Sequence, residues 1–415
     1  MKGRSPSKVN SHGGGRPGPS RARVVLVVVG VLLLAANLRP ALTSVAPLIG
    51  QIRTEAGLSN GVAGLLTTLP LLAFGLLSPV APRLSRRFGL ERVLLASLLV
   101  LAVGILLRSE GATVALLLGS ALLGAAIAVG NVLLPGLIKR DFPGRAGLMT
   151  SVYSTALAIS ATVAAGVSFP IAQQTGLGWR GSLALWAAPA LVAALAWVPQ
   201  LRGSRPEVAP NRTPGRVGGL WRSALAWQVT LFMGLQSLAY YVTLTWLPEI
   251  LREGGMSTAR AGWMLALAQA VAIVSMFLAP VIAGRRPSQH GVVAVSAALN
   301  GAGILGLMLA PDTAAVLWIV LLGLGQGACF SLALTFFALR ASDPEHSAAL
   351  SGMAQSVGYL LAAFGPSFFG LLRDATHSWE LPLVLMFAIV VGILISGLGA
   401  ARDAHVGQPT GEDAH

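Results

Sequence analysis

Carboxylates are scarce in this chain. Of 415 residues, 15 are Asp or Glu against 29 Lys or Arg, and the acids fall in loops, in tails or at the ends of apolar runs. Glu249 comes nearest to the inside of one. Charged residues of both signs make up only 11% of the chain, too little to coat a soluble body of this size. The single cysteine, Cys329, excludes an intrachain disulfide and any cysteine-built metal cluster. None of His12, His290, His346, His377, His405 and His415 lies deep in an apolar run, and no HExxH, nucleophile elbow or Walker glycine loop accompanies them. A membrane-embedded enzyme and an ATP-driven pump are thereby excluded, and no metal or cofactor is expected.

Apolar length is what the chain has instead. Hydrophobic residues reach 54% with a mean hydropathy of +0.74, and the runs approach the roughly 20 residues that a membrane-crossing helix needs. Twelve spans are expected, starting near Val24, Gly61, Val93, Ala112, Gly147, Gly181, Ala224, Ala261, Gly291, Ala314, Ala348 and Leu381. The fold class is an all-α membrane protein.

A net charge of +14 and a pI of 11.4 would suit a nucleic-acid binder if the charge were gathered on one folded surface. It is not. With the amino terminus inside, the outer loops hold only Arg53, Arg108, Arg180, Arg252, Arg260 and Arg373; apart from Arg39, every other basic residue falls inside. That bias is the positive-inside signature of an inner-membrane protein with both termini cytoplasmic; no nucleic-acid partner is implied. Residues 1–23, rich in Gly, Pro, Ser and Arg, read as a disordered tail. The sequon Asn211-Arg212-Thr213 lies on the cytoplasmic side, out of reach of glycosylation.

Pro206, Pro210, Pro214 and Gly215, set among arginines, mark a linker at 201–223. It separates a six-helix half at 24–200 from another at 224–400, with a tail at 401–415. Gly57-Leu58-Ser59 followed by Gly64 recurs as Gly255-Met256-Ser257 followed by Gly262. Pro47 and Pro248, Pro79 and Pro280, and Pro143 and Pro344 are all separated by 201 residues. This agreement indicates a duplication, and an even number of spans per copy makes the repeats parallel. Substrate in such a plan binds between the halves near the bilayer midplane.

Arg39 stands near the middle of the first apolar run, in Asn37-Leu38-Arg39-Pro40. An ionised side chain at that depth costs about 2.5–3.5 kcal/mol on insertion scales, so it should face a polar cavity. Shifted by 201, it falls on Tyr240, which sets the two across the central axis. Pro40 and Pro135 each deprive a carbonyl one turn earlier of its donor, so the first and fourth spans should kink, beside Asn37 and Asn131. Thr43 shares the face of Arg39, whereas Asn37 points nearly opposite. Gln236, Tyr240 and Thr243 form one polar stripe on the seventh span, and Ser351, Gln355 and Tyr359 another on the eleventh. The candidate substrate-binding set is Arg39, Thr43, Asn131, Tyr240, Gln236, Gln355, Tyr359, Asn37 and Tyr153. Gln269, Asn300 and Gln326 read as helix-to-helix glue, and the glycines around Gln326 as close packing. With no acid inside a span, Arg39 should take an anionic or strongly dipolar ligand through its guanidinium fork.

Several segments together resemble the major facilitator superfamily, and within it the cyanate and 2-nitroimidazole porter group. They are Asn37 to Ser44 (NLRPALTS), Gly64 to Pro70 (GLLTTLP), Gly130 to Pro135 (GNVLLP), Lys139 to Pro143 (KRDFP) and Leu350 to Tyr359 (LSGMAQSVGY). The resemblance implies two six-helix halves that move a small polar solute by alternating access, uptake of a cyanate-like anion or export of a nitro-heterocycle or other drug being the alternatives within it. A membrane sensor that transports nothing is the competitor from another class. It also implies a monomer in the bilayer and a gating loop at Arg87, Gly89 and Arg92. There the chain departs from the family: Arg86 occupies the place of the usual aspartate, so a gate relying on that acid must use another, such as Glu91 or Asp141.

Overall fold

The computed structural model describes residues 21–142, 145–203, 220–286, 288–310, 314–342 and 344–406. The amino-terminal tail, Pro143 and most of the 201–223 linker lie outside the described residues. Among the described residues, eleven helical segments are long and apolar enough to cross a membrane. The twelfth crossing, the seventh in chain order (Ala224–Glu253), is 30 residues long, but Gln236, Ser237, Tyr240, Tyr241, Thr243 and Thr245 dilute its hydropathy. The helix that carries most of the polar stripe is the one that looks least like a membrane span.

Six crossings precede residue 204 and six follow residue 219. The second to sixth are Asn60–Leu77, Leu90–Ser109, Thr113–Asp141, Ala146–Gln174, and Gly178–Ala184 continued by Ala187–Trp197. The eighth to twelfth are Thr258–Gly284, His290–Leu309, Ala315–Leu339, Pro344–Thr376 and Glu380–Ala400. The end of the bundle where the first span begins and the twelfth stops is the near end below; the opposite end is the far end.

The repeated glycine-serine motifs perform the same task in each half. Gly57 (φ 64°) and Gly255 (φ 95°) both turn the chain through the left-handed region, where a side chain would be strained. Two residues on, Ser59 accepts from the Val62 amide and Ser257 from the Arg260 amide, capping the second and eighth spans.

The first span is the irregular one. Helix Arg21–Asn37 stops, the chain turns through Leu38 and Arg39, and short helical pieces at Pro40–Thr43, Ala46–Leu48 and Ile49–Ala56 complete the crossing. Pro40 cannot donate to Ala36, and the Leu38 amide instead bonds the Ala35 carbonyl in a tighter turn at 3.1 Å. Arg39 sits on the break. At Pro135, where a kink is also expected, the fourth span runs as one continuous helix from Thr113 to Asp141.

Lipid gives helices no hydrophobic reason to associate, so contact rests on small residues that let backbones approach. A Cβ at Gly64 would come within 2.6 Å of Ser367 Cα, and one at Gly358 within 3.2 Å of Gly234 Cα. The second span is thus pressed against the eleventh, and the eleventh against the seventh. Around Gln326, side chains on Gly323, Gly325 and Gly327 would run into the backbones of Ala268, Asn300 and Ala272.

Candidate functional site

Arg39 Nη1 donates to the Tyr240 hydroxyl at 3.1 Å, across 201 residues of chain and from one half to the other. Its Cζ stands 5.5 Å from the centre of the Tyr240 ring, within cation–π range. On the eighth span Gln269 Nε2 donates to the same hydroxyl at 2.8 Å. Arg39, Tyr240 and Gln269 all keep accessible surface, while Leu38, Pro40 and Tyr241 beside them in sequence are buried. The three therefore border an internal space. Tyr241 packs edge-on to Tyr240 with centroids 5.0 Å apart, and Tyr359 edge-on to Phe74 at 5.7 Å. Tyr240, Tyr241 and Tyr359 all lie within electrostatic reach of the Arg39 guanidinium, and Tyr153 within reach of Tyr359.

Other candidates are placed differently. Asn37 is buried and donates to the carbonyls of Leu33 (2.7 Å) and Pro189 (3.2 Å), tying the first span to the sixth. Gln236 is buried and spends its amide on Met233 and Ser237 of its own helix. Thr43, also buried, bonds the Arg39 carbonyl at 3.2 Å and so closes the turn below the break. These three support the site from behind. Gln355 bonds Ser351 at 2.8 Å and stays partly accessible, as does Tyr153. Asn131 is exposed on the fourth span, towards the near end.

Gln269 and Gln326, both read as glue, each bond a neighbouring helix: Gln269 reaches Tyr240 within the Arg39 cluster, and Gln326 donates to Thr243 at 2.8 Å. One expectation needs correction: Arg39 is not alone in the spans. Arg108, assigned from sequence to an outer loop, is completely buried in the last turn of the third span and donates to the Ala41 carbonyl at 2.6 Å. It braces the broken first span two residues beyond Arg39. Its burial depends on a carbonyl that a break in another helix presents, and no local pattern announces that.

The far end is closed between the halves. The Asp374 carboxylate, on the eleventh span, accepts from the amides of Asn60 (3.1 Å) and Gly61 (2.9 Å) and from Asn60 Nδ2 (2.7 Å). These amides are the first of the second span and lack partners within their own helix, and the helix N-terminus favours a negative charge. Arg53 bonds Asn60 and pairs with Glu249 of the other half at 3.2 Å. Arg252 grips the same buried Glu249 at 2.8 Å. A cleft of about 410 Å³ outside this network is lined by Arg53, Glu55, Gln173, Glu249 and Arg252.

At the near end the fourth and fifth spans form no packing interface with the tenth and eleventh among the described residues. A Cβ at Gly136 or Gly352 would meet nothing within 4 Å. The expected gating loop lies here: Gly89 (φ 88°) joins helix Ala81–Phe88 to the third span, and Arg87 and Arg92 are exposed. Glu91 and Asp141, the acids considered for the gate, both pair with Arg140 at 2.7 Å, inside one half. The halves are thus bonded together at the far end, while at the near end the fourth and fifth spans stand apart from the tenth and eleventh, with the Arg39 cluster between.

Residues 31–366 match the Major Facilitator Superfamily. The 2-nitroimidazole transporter of Escherichia coli (strain K12) is 43% identical over 92% of this chain and 97% of its own length. The cyanate transport protein of the same organism is 34% identical over 90% and 95%. Among solved structures, a D-xylose-proton symporter superposes with a TM-score of 0.75 at 14% identity, covering 93% of this chain and 99% of that one.

Proposed function

This chain belongs to the Major Facilitator Superfamily, a membrane transporter and not an enzyme, and we propose that its cargo is a small, acceptor-rich solute, anionic or planar and polar, moved by alternating access. One observation carries the reading: among the described residues the central cluster turns a guanidinium and a phenol donor to the space with no carboxylate beside them. The Tyr240 oxygen has two lone pairs, and the bonds from Arg39 and Gln269 occupy both, so its own proton is left to point at a ligand. Were the Gln269 amide turned round, Tyr240 would donate to it and the amide NH2 would be free; a donor faces the space either way. Arg39 has five N–H groups; Tyr240 takes one and Tyr241 stands within bonding reach of another, which leaves the rest for a ligand.

Among the described residues no carboxylate pairs with Arg39, and the buried acid Glu249 is held at the far end by Arg53 and Arg252. A cation without a protein counter-ion draws negative charge from its cargo. Cyanate and a nitro group, the acceptors implied by the names of the two relatives, satisfy the same donors. The arginine-rich near end supports an inner-membrane setting with both termini cytoplasmic. The two six-helix halves then part towards the cytoplasm and serve as the moving bodies of a monomeric carrier. Substrate counterflow in proteoliposomes with cyanate, benzoate and 2-nitroimidazole as competitors tests the reading. Exchange is expected for the intact chain and its loss for Arg39→Ala; unchanged exchange in that variant refutes the assignment.

A further inference from the structure

The chain contains four tyrosines, and all four belong to this one cluster. Tyr240 bonds Arg39; Tyr241 and Tyr359 stand within electrostatic reach of the same guanidinium, and Tyr153 within reach of Tyr359. They come from the fifth, seventh and eleventh spans, so chain proximity accounts only for the Tyr240–Tyr241 pair. Phenylalanine and tryptophan, with 13 and nine copies, are spread through the protein. The phenol alone is concentrated where the arginine is.

A phenol combines a polarisable face with a hydroxyl donor. For a linear triatomic anion the faces are superfluous, since shell donors alone would hold it. Here the rings are held in position: Tyr359 by the edge of Phe74 and Tyr240 by the edge of buried Tyr241. Tyr153, Tyr240 and Tyr359 keep accessible surface; Tyr240 bonds the guanidinium, Tyr359 stands within its electrostatic reach, and Tyr153 within reach of Tyr359. An apolar ring of the cargo would lose water against those surfaces, while its charged group met the fork of Arg39.

We infer that the cargo is a monocyclic aromatic carboxylate, its carboxylate on Arg39 and Tyr240 and its ring among Tyr153, Tyr240 and Tyr359. This rests on the reading of Arg39 as a cation whose counter-charge comes from the cargo, and narrows it. The carboxylate is preferred over a neutral nitro group because Arg39 has no protein carboxylate of its own, and over cyanate because cyanate leaves the rings unused.

Calorimetric titration of the purified full chain with benzoate, cyclohexanecarboxylate, acetate, cyanate and 2-nitroimidazole separates these terms. Benzoate is expected to bind about tenfold or more tightly than acetate and cyanate, and about threefold to tenfold more tightly than cyclohexanecarboxylate. Tyr359→Phe should keep the preference for benzoate over cyclohexanecarboxylate and Tyr359→Leu should weaken it, with acetate affinity falling less than benzoate affinity in both. Tyr153→Leu provides the same comparison should Tyr359→Leu not fold. Acetate or cyanate binding as tightly as benzoate overturns the ring assignment and leaves Arg39 as the anion site standing. Tighter binding of 2-nitroimidazole than of benzoate overturns the carboxylate. Undiminished benzoate binding by Arg39→Gln overturns both this inference and the proposed function.

Discussion

Replacing Asp374 by alanine should open the far end. The carboxylate accepts three hydrogen bonds from Asn60 and Gly61, residues more than 300 positions away in the other half, and it replaces solvent for two helix-terminal amides. A hydrogen bond to a charged group contributes about 1.5–3 kcal/mol where water is excluded. Asp374 is only half-buried and water can re-solvate the separated groups, so the set is discounted to about 2 kcal/mol. That free energy biases the far-end-closed state against the far-end-open one by about thirtyfold. Glu249 with Arg53 persists in the variant and keeps closure from being lost altogether. Spin labels on Thr54→Cys and Arg260→Cys, exposed far-end positions of opposite halves, report the separation by pulsed electron resonance. Cys329 is buried and adds little background. A longer-distance population should grow in Asp374→Ala. An unchanged distance distribution in a variant that melts cooperatively would refute the view that this carboxylate holds the halves together.

Arg39→Lys keeps the charge but cannot reproduce the planar fork, so initial exchange rates in proteoliposomes should drop by about tenfold or more. Gly64→Ala puts a Cβ within 2.6 Å of Ser367 Cα and should destabilise the folded protein by about 1–3 kcal/mol, read as a lower melting temperature in detergent; Gly136→Ala, with open space around it, serves as the neutral control. Arg140→Ala strands the buried Glu91 carboxylate; a loss of about 1–2 kcal/mol is expected, with much of it restored when Glu91→Gln is added, as a double-mutant melting cycle measures.

Most of the fold could be read before any coordinate because the membrane enforces a length rule: a crossing helix shows itself as a run of some 20 apolar residues whatever surrounds it. The same rule explains the weak place. The seventh span is polar because it is buried among other helices, where its side chains bond Thr67, Gln326 and Arg39 instead of meeting lipid, so its polar contacts erode the signal that marks it as a span. Prolines were legible unevenly. Pro40 marks the break at Arg39, whereas Pro135 lies within an unbroken helix, since a proline removes one donor and its surroundings decide whether the helix gives way.

The site shows the same division between local and distant information. The Arg39–Tyr240 contact was legible because duplication places equivalent positions across an axis, and the 201-residue offset specifies the partner without any structure. Gln269 had no such signal. It and Gln326 are each one amide on an apolar helix, and only the identity of the acceptor separates them: a buried threonine for Gln326, the hydroxyl facing the cavity for Gln269. Arg108 was hidden for a related reason, because a cation at a span end reads as a loop residue until a broken helix in another part of the chain supplies its acceptor. The tyrosines illustrate the converse. Their scarcity was visible throughout, but scarcity acquires meaning only once the four are seen in one place. A rare residue type concentrated at one depth, on spans distant in sequence, is therefore a site signal available to composition and topology together and to neither alone.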